Sequence, residues 1–246
     1  MIGAAVPSRL ALPRALAVAF AACIPIALTA APFEDSMAQR TLACTACHGA
    51  QGRAGPDGYY PRIAGKPAGY LYNQLLNFRD GRRHYAAMTR LLDPLSEPYL
   101  LEIARHFSGL ELPYAGPPVP QVTAAVLERG RQLTLHGEPA AKLPACVSCH
   151  GPGLTGVQPN TPGLLGLSRD YLNAQLGAWR TGERRAHAPD CMAQVARALT
   201  PEDLHAVSSY LAAQPLPAHP RAVDKLPEPS PVACGSAALP AGRQQP

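Results

Sequence analysis

Two copies of one short pattern carry the residues in this chain that are best suited to chemistry. The copies consist of Cys44, Cys47 and His48, and of Cys146, Cys149 and His150. In each copy the two thiols lie one helical turn apart and the imidazole follows directly. Both thiols can then form thioether bonds to the vinyl groups of a haem while the imidazole ligates its iron. The pattern predicts two covalently bound haem c groups, each with a His as one axial ligand.

Two other kinds of site use similar residues. A redox-active dithiol needs the Cys pair but not the His, and a zinc site could be built from all four Cys and both His. Zinc sites usually bring their two Cys pairs within some tens of residues of each other. Here Cys44 and Cys146 are 102 positions apart, so haem attachment is the favoured interpretation.

The two copies belong to a longer internal repeat. Residues 61–81 match residues 162–182 at an offset of 101, and further on the offset becomes 104. Each half therefore has its own complete set of chemical residues, which predicts two domains. The expected segments are a signal peptide at 1–30, a first domain at 31–111, a Pro-rich linker at 112–120, a second domain at 121–214 and a Pro-rich tail at 215–246.

Met88 and Met192 occupy equivalent positions of the repeat, shortly before the last predicted helix of each half. A thioether from a later loop is a common second axial ligand of c-type haem, so we expect these two residues to ligate the two irons. Met37 precedes the first haem motif and is expected to pack in a core.

Other side chains near the two Met residues could take their place. His84 and His187 lie close by in sequence, although an exposed loop His is commoner than a ligand. Cys191 adjoins Met192, and its thiolate would bind ferric iron tightly and lower the reduction potential.

Two further pairs of equivalent residues are candidates for the haem surroundings. Pro61 and Pro162 follow the haem His by 13 and 12 residues, where a carbonyl could accept the imidazole N–H; an ordinary turn is the alternative. Arg79 and Arg180 end the middle helices and could pair with haem propionates. Alternatively, their guanidinium groups satisfy carbonyls at the helix end.

The N-terminus is typical of an exported protein. Residues 1–30 contain Arg9 and Arg14, no acidic residue and an apolar run from residue 15 to residue 30, which predicts a cleaved signal peptide. An uncleaved anchor, or lipidation at Cys23, are the alternatives. Export predicts a periplasmic location and leaves weak attachment to the membrane surface open. The chain has no concentrated basic run with interleaved aromatic residues, so nucleic acid is not an expected partner.

An oxidising compartment also affects the two Cys residues that the haem motifs leave over. Cys191 and Cys234 have no haem role, and exported proteins seldom keep free thiols. We therefore expect a disulfide between them, which would hold the tail against the loop of Met192.

The secondary structure is expected to be helical throughout, without strands. Predicted helices cover 34–46, 67–78 and 96–107 in the first half and 122–135, 168–179 and 200–213 in the second. Ser96 and Thr200 are expected to begin the last helix of each half as N-caps.

These motifs and the flanking residues Tyr70–Leu71 and Tyr171–Leu172 resemble two class I cytochrome c domains in tandem, the arrangement of the di-haem cytochrome c4 family. The resemblance covers roughly residues 34–213. It implies an all-α fold, His/Met ligation of both haems, and electron shuttling between a periplasmic dehydrogenase or bc1-type complex and a terminal oxidase. The alternatives are a di-haem oxidoreductase such as a thiosulfate dehydrogenase, or a cytochrome subunit of a dehydrogenase or oxidase complex. Saturated iron and the lack of a spare catalytic group favour a carrier over an enzyme.

Overall fold

The computed structural model describes Gly3 and residues 35–240. The predicted signal peptide, the first residues of the first predicted domain and the last six residues of the tail lie outside these described residues. Residues from Asp35 onward belong to one compact unit. In this part of the chain no helix is both long and apolar enough to cross a membrane.

The first half of the described chain is helical, as expected. It contains α1 (Met37–Arg40), α2 (Leu42–His48), α3 (Ala68–Arg79), α4 (Ala86–Leu92) and α5 (Glu97–Ser108), with a 3-10 turn at Ala50–Gly52. The first predicted helix is divided at Thr41, whose hydroxyl donates to the carbonyl of Met37 at 2.7 Å. A threonine that bonds back in this way competes with the helical backbone. Ser96 stands at the N-cap of α5, but its side chain makes no capping bond.

The second half repeats the arrangement. It contains α6 (Ala124–His136), α7 (Val147–His150), α8 (Arg169–Thr181), α9 (Cys191–Ala198) and α10 (Pro201–Ala213), with a 3-10 turn at Pro139–Ala141. The hydroxyl of Thr200 accepts from the Asp203 amide at 3.0 Å and caps α10, as the sequence predicts. Ser168 caps α8 in the same way, by accepting from the amide of Tyr171.

The two Met residues expected in loops lie instead on short helices, α4 and α9. The expectation of a loop was wrong for both residues; α9 begins at a side-chain cap, whereas α4 has none. In α9 the Asp190 carboxylate accepts from the amide of Ala193 at 3.0 Å, directly after Pro189. Such a cap satisfies one of the amides left free at a helix start.

A small antiparallel hairpin interrupts the helical pattern of the second half. Strand β1 (Gly156–Val157) pairs with β2 (Thr161–Pro162), contrary to the expectation of no strands. Val223 in the tail forms a parallel bridge with Val157. Strands of two residues are too short to show an alternating pattern, and the bridge to Val223 joins residues that are far apart in sequence.

Apolar side chains form one buried cluster in each half. In the first half α3 packs on α5, so that Leu76, Leu100 and Phe107 share a core. In the second half α10 packs on α6 and α8, which buries Leu133 and Leu211. The all-α pattern of two tandem helical halves is therefore confirmed, apart from the hairpin.

The two halves meet through the loops that follow α3 and α8. Arg83 and Arg184 pair as an antiparallel bridge, and the amide of Arg185 donates to the carbonyl of Arg82 at 2.6 Å. The Lys66 ammonium of the first half donates to the carbonyl of Gly163 in the second at 3.0 Å. Lys66 is buried, and burial together with nearby Arg62 lowers its pKa to about 8.

Candidate functional site

Each Cys-x-x-Cys-His motif is presented by a short helix. Cys44, Cys47 and His48 all lie on α2, whereas Cys146 precedes α7 and the other two residues of its motif lie on it. Gly49 ends α2 with φ +75°, and an added Cβ there would lie 2.3 Å from the carbonyl oxygen of Ala54. A glycine therefore lets the chain turn sharply behind the haem His.

The orientation of both haem His residues is fixed by a backbone carbonyl. His48 Nδ1 lies 2.8 Å from the carbonyl oxygen of Pro61, and His150 Nδ1 lies 2.7 Å from that of Pro162. A carbonyl only accepts, so Nδ1 carries the proton and Nε2 keeps a lone pair for a metal. Burial lowers the pKa of both imidazoles, which favours the neutral form that binds iron.

A cavity of about 1340 Å³ runs between the halves. Its lining includes both haem motifs and both candidate thioethers, namely Cys44, Cys47, His48 and Met88 from the first half and Cys146, Cys149, His150 and Met192 from the second. Ligand pockets for one small molecule usually measure about 300–1,000 Å³. The cavity extends from the first half, where Cys44 and Met88 pack against one hydrophobic cluster, to the second half, where Cys146 and Met192 pack against the other; these are its two ends.

The cavity thus brings together the residues that the sequence expects around each haem. His84 and His187 also line it. His84 is exposed, while the Nε2 atom of His187 is buried without a hydrogen-bond partner among the described residues.

The structure gives Arg79 and Arg180 other partners. Arg79 forms ion pairs with Asp80 at 2.9 Å and Glu97 at 3.1 Å. Arg180 donates to the carbonyl of Leu199. Neither guanidinium is part of the cavity lining, and a contact with propionates stays a prediction for both.

Another pair of arginines does line the cavity, and the sequence analysis missed it. Arg83 and Arg184 are only 9% and 3% exposed. Each donates to the side-chain oxygens of both Gln74 and Gln175, at 2.6–3.0 Å. Arg83 also donates to the Tyr171 hydroxyl at 3.1 Å. Arg83 and Arg184 are related by the offset of 101, and so are Gln74 and Gln175. The repeat could therefore have shown this pair of arginines.

The arginine pair leaves positive charge without a counter-ion. Its hydrogen-bond acceptors are neutral, and no carboxylate of the described residues forms an ion pair with either guanidinium. Burial and the neighbouring Arg83 lower the pKa of Arg184 to about 10. Buried charges normally have a partner, so the cavity is suited to a ligand that brings carboxylates.

An unused hydrogen-bond donor lies beside this pair. Arg184 stacks on the indole of Trp179, 3.6 Å from the ring centre, as Arg83 stacks on Phe78 at 4.4 Å. The buried Nε1 of Trp179 has no partner in the part of the chain that the structure describes. Haem c fits these groups, because it offers vinyl groups to the thiols, iron to the imidazole and thioether, and propionates to the donors.

The disulfide between Cys191 and Cys234 is present, as predicted. Cys191 is therefore bonded to the tail directly beside Met192, and its sulfur is not a thiolate. The four thiols of the haem motifs are unpaired.

The zinc alternative is not supported by the geometry. Within residues 35–240 no three or more His, Cys, Asp or Glu side chains form a group that could hold a metal ion. The two motifs lie at separate ends of the cavity, which suits two prosthetic groups and not one shared ion.

Comparison with known proteins agrees with this site. The cytochrome c family model matches residues 128–214. The chain is 41% identical to a thiosulfate dehydrogenase electron acceptor of Thiomonas intermedia (strain K12), over 78% of this chain and 85% of that protein. It is 33% identical to cytochrome c4 of Pseudomonas aeruginosa, over 70% of this chain and 84% of that protein.

A solved structure has a similar fold. Thiosulfate dehydrogenase of Marichromatium purpuratum superposes with a TM-score of 0.63 and 34% identity, over 70% of this chain and 36% of that chain. The fold and the site define a c-type cytochrome with two covalently bound haem c groups, whose role is electron transfer. The chain belongs to the cytochrome c4 family.

Proposed function

We propose that this protein is a periplasmic electron carrier that accepts electrons from a thiosulfate-oxidising dehydrogenase and delivers them to a terminal oxidase. The observation that carries the proposal is the 41% identity, over most of both chains, to a protein named as the electron acceptor of such a dehydrogenase. The predicted signal peptide supports the location. A bc1-type complex or another periplasmic dehydrogenase would use the same haem sites.

Each haem is proposed to be ligated by one His and one Met, His48 with Met88 and His150 with Met192. The tautomer set by the Pro61 and Pro162 carbonyls supports the imidazole ligands, and the position of both thioethers in the cavity lining supports the Met ligands. Haem iron with six ligands supplies one-electron redox chemistry. Apolar side chains such as Leu71, Phe78, Leu172 and Leu176 line the cavity that would hold the haems, and burial among such side chains is one of the factors that set a haem potential.

A carrier is favoured over an enzyme by the state of Cys191. A haem oxidoreductase that depends on thiolate ligation would need this sulfur free beside the second haem. The sulfur is bonded to Cys234 instead, which leaves Met192 as the nearest sulfur ligand. A permanent subunit of an enzyme complex would copurify with that complex, whereas a carrier would not.

The decisive experiment mixes the oxidised holoprotein with thiosulfate, with and without a purified thiosulfate dehydrogenase. We expect the ferrous haem absorbance to rise only when the dehydrogenase is present, and to reach full reduction of both haems. Reduction by thiosulfate alone would make the chain itself the enzyme. No reduction in the complete mixture would reject the dehydrogenase as electron donor.

A further inference from the structure

Equivalent residues at the two ends of the haem cavity differ in exposure: Cys47 and Tyr59 are exposed, whereas Cys149 and Asn160 are half-buried. At the first end eight exposed residues line the cavity: five are Ala43, Cys47, Tyr59, Ala87 and Leu91, and the other three, Arg40, Asp57 and His84, are polar. Tyr59 is 62% exposed and packs edge-on against Tyr60. The Tyr60 hydroxyl in turn lies 3.2 Å from that of Tyr85. The first haem therefore has an open mouth lined with tyrosine.

The repeat replaces these tyrosines in the second half. At the offset of 101, Tyr59, Tyr60 and Tyr85 correspond to Asn160, Thr161 and Ala186. Small side chains at these positions leave room for another segment of the chain.

The C-terminal tail occupies that room. Asn160 donates to the hydroxyl of Ser236 at 3.0 Å, and the hydroxyl of Ser230 lies 3.4 Å from the sulfur of Cys149. The amide of Gly235 donates to the carbonyl of Pro189 at 2.8 Å. An added Cβ on Gly235 would lie 2.2 Å from the Ala188 carbonyl oxygen, so the tail packs here without spare space.

The disulfide makes this cover permanent. Cys234 anchors the tail to α9, and tail residues form part of the cavity lining: Leu226, Ser230, Val232, Ala233, Cys234, Gly235 and Ser236. The tail then continues onto the first half, where the Ala237 amide donates to the Asn73 side chain at 2.7 Å.

We infer that the tail closes the second haem edge, and that electrons enter and leave the protein at the first haem, where a redox protein with a small apolar contact face docks on the mouth around Cys47 and Tyr59. The tail shows which surface fits such a mouth, because Val232 and Ala233 cover the equivalent end of the second half. The inference rests on the proposed carrier function and adds the contact surface to it. The second haem exchanges electrons with the partner through the first.

Two lysine substitutions, one at each end of the cavity, test the route. The oxidised holoprotein is mixed in a stopped-flow instrument with hexaammineruthenium(II), a cationic one-electron reductant, and haem reduction is followed. Tyr59→Lys should slow the reduction of both haems several-fold, since both electrons pass the first mouth and like charges repel. Gln158→Lys, at an exposed residue of the second half that lines the cavity, should leave the rate of both haems unchanged, because no electron enters at that end.

The opposite results are equally specific. If Tyr59→Lys slows one half of the absorbance change and Gln158→Lys slows the other half, each haem has its own route and the inference is wrong. An unchanged rate in Tyr59→Lys also rejects the first mouth as the route.

A variant with a loosened tail gives an independent check. Gly235→Val should push the tail away from Ala188 and open a second route for electrons. In that protein Tyr59→Lys should slow only one half of the absorbance change. Gly116→Ala, with no heavy atom within 4 Å of the added Cβ, is the matched control and should change nothing. A Gly235→Val protein in which Tyr59→Lys still slows both haems would show that the tail is not the cover.

The same lysine variants can be tested with the dehydrogenase as electron donor. Docking at the first mouth requires that Tyr59→Lys, but not Gln158→Lys, slow the enzyme-dependent reduction. Since the inorganic reductant involves no protein partner, its result stands even if the dehydrogenase is not the physiological donor.

Discussion

Replacing Cys191 and Cys234 together by Ser should destabilise the second half of the protein by roughly 3–4 kcal/mol. The bond closes a loop of 43 residues, and the loss of loop-closure entropy in the unfolded chain gives a value of this size. For a domain of about 60–100 residues, each kcal/mol corresponds to about 4–8 °C, so the midpoint of thermal unfolding should fall by roughly 12–30 °C.

The measurement can be confined to the second half. Trp179 is the only tryptophan of the chain, and it packs against the second core. Its fluorescence during guanidinium unfolding reports that half, whereas far-ultraviolet circular dichroism reports both. Gly116→Ala in the linker serves as a control that should keep the original midpoint.

The same variant tests whether the tail depends on its covalent anchor. A loss below about 1 kcal/mol in the tryptophan transition would refute the reasoning from loop closure. It would mean that the hydrogen bonds of the tail, such as those between Val223 and the hairpin, already restrict the chain as much as the disulfide does.

Three further predictions concern the haem surroundings. Met88→His or Met192→His should each keep a low-spin haem, lower one potential and remove half of the near-infrared iron–sulfur band; loss of the whole band from one substitution would contradict one Met per haem. Arg184→Gln should lower the reduction potential of at least one haem, because a buried positive charge beside the cavity favours the ferrous form; two unchanged potentials in a redox titration would oppose this. Lys66 has its pKa lowered to about 8 by burial, so above pH 8 the unfolded chain holds a proton that the folded chain has lost, and stability should rise with pH. Relative to Lys66→Met, the wild-type protein should gain roughly 3 kcal/mol in free energy of unfolding between pH 8 and 10.5. Equal pH profiles of the two proteins would show that the pKa of Lys66 is not lowered by folding.

Local sequence signals were sufficient for much of the fold. Helices α3, α5, α6, α8 and α10 lie within a few residues of their predicted bounds, because apolar spacing and caps act within one or two turns. These local signals did not reveal the split at Thr41 or the helices α4 and α9. The split at Thr41 and the start of α9 each depend on a single side-chain bond, to the Met37 carbonyl and from the Asp190 cap, whereas α4 has no side-chain cap.

The chemistry of the haem sites can be read from adjacent positions of the sequence and from its repeat. Two thiols one turn apart before a His predict covalent haem wherever they fold, and the leftover thiols predict their own bond. The tertiary structure alone decided which residues from separate halves meet. Arg83 and Arg184 become a buried pair only because two loops 101 residues apart bridge, and the tail reaches Cys149 only because a disulfide and a hairpin guide it there. Such contacts depend on the packing of whole elements, and no periodicity within a short segment encodes that packing.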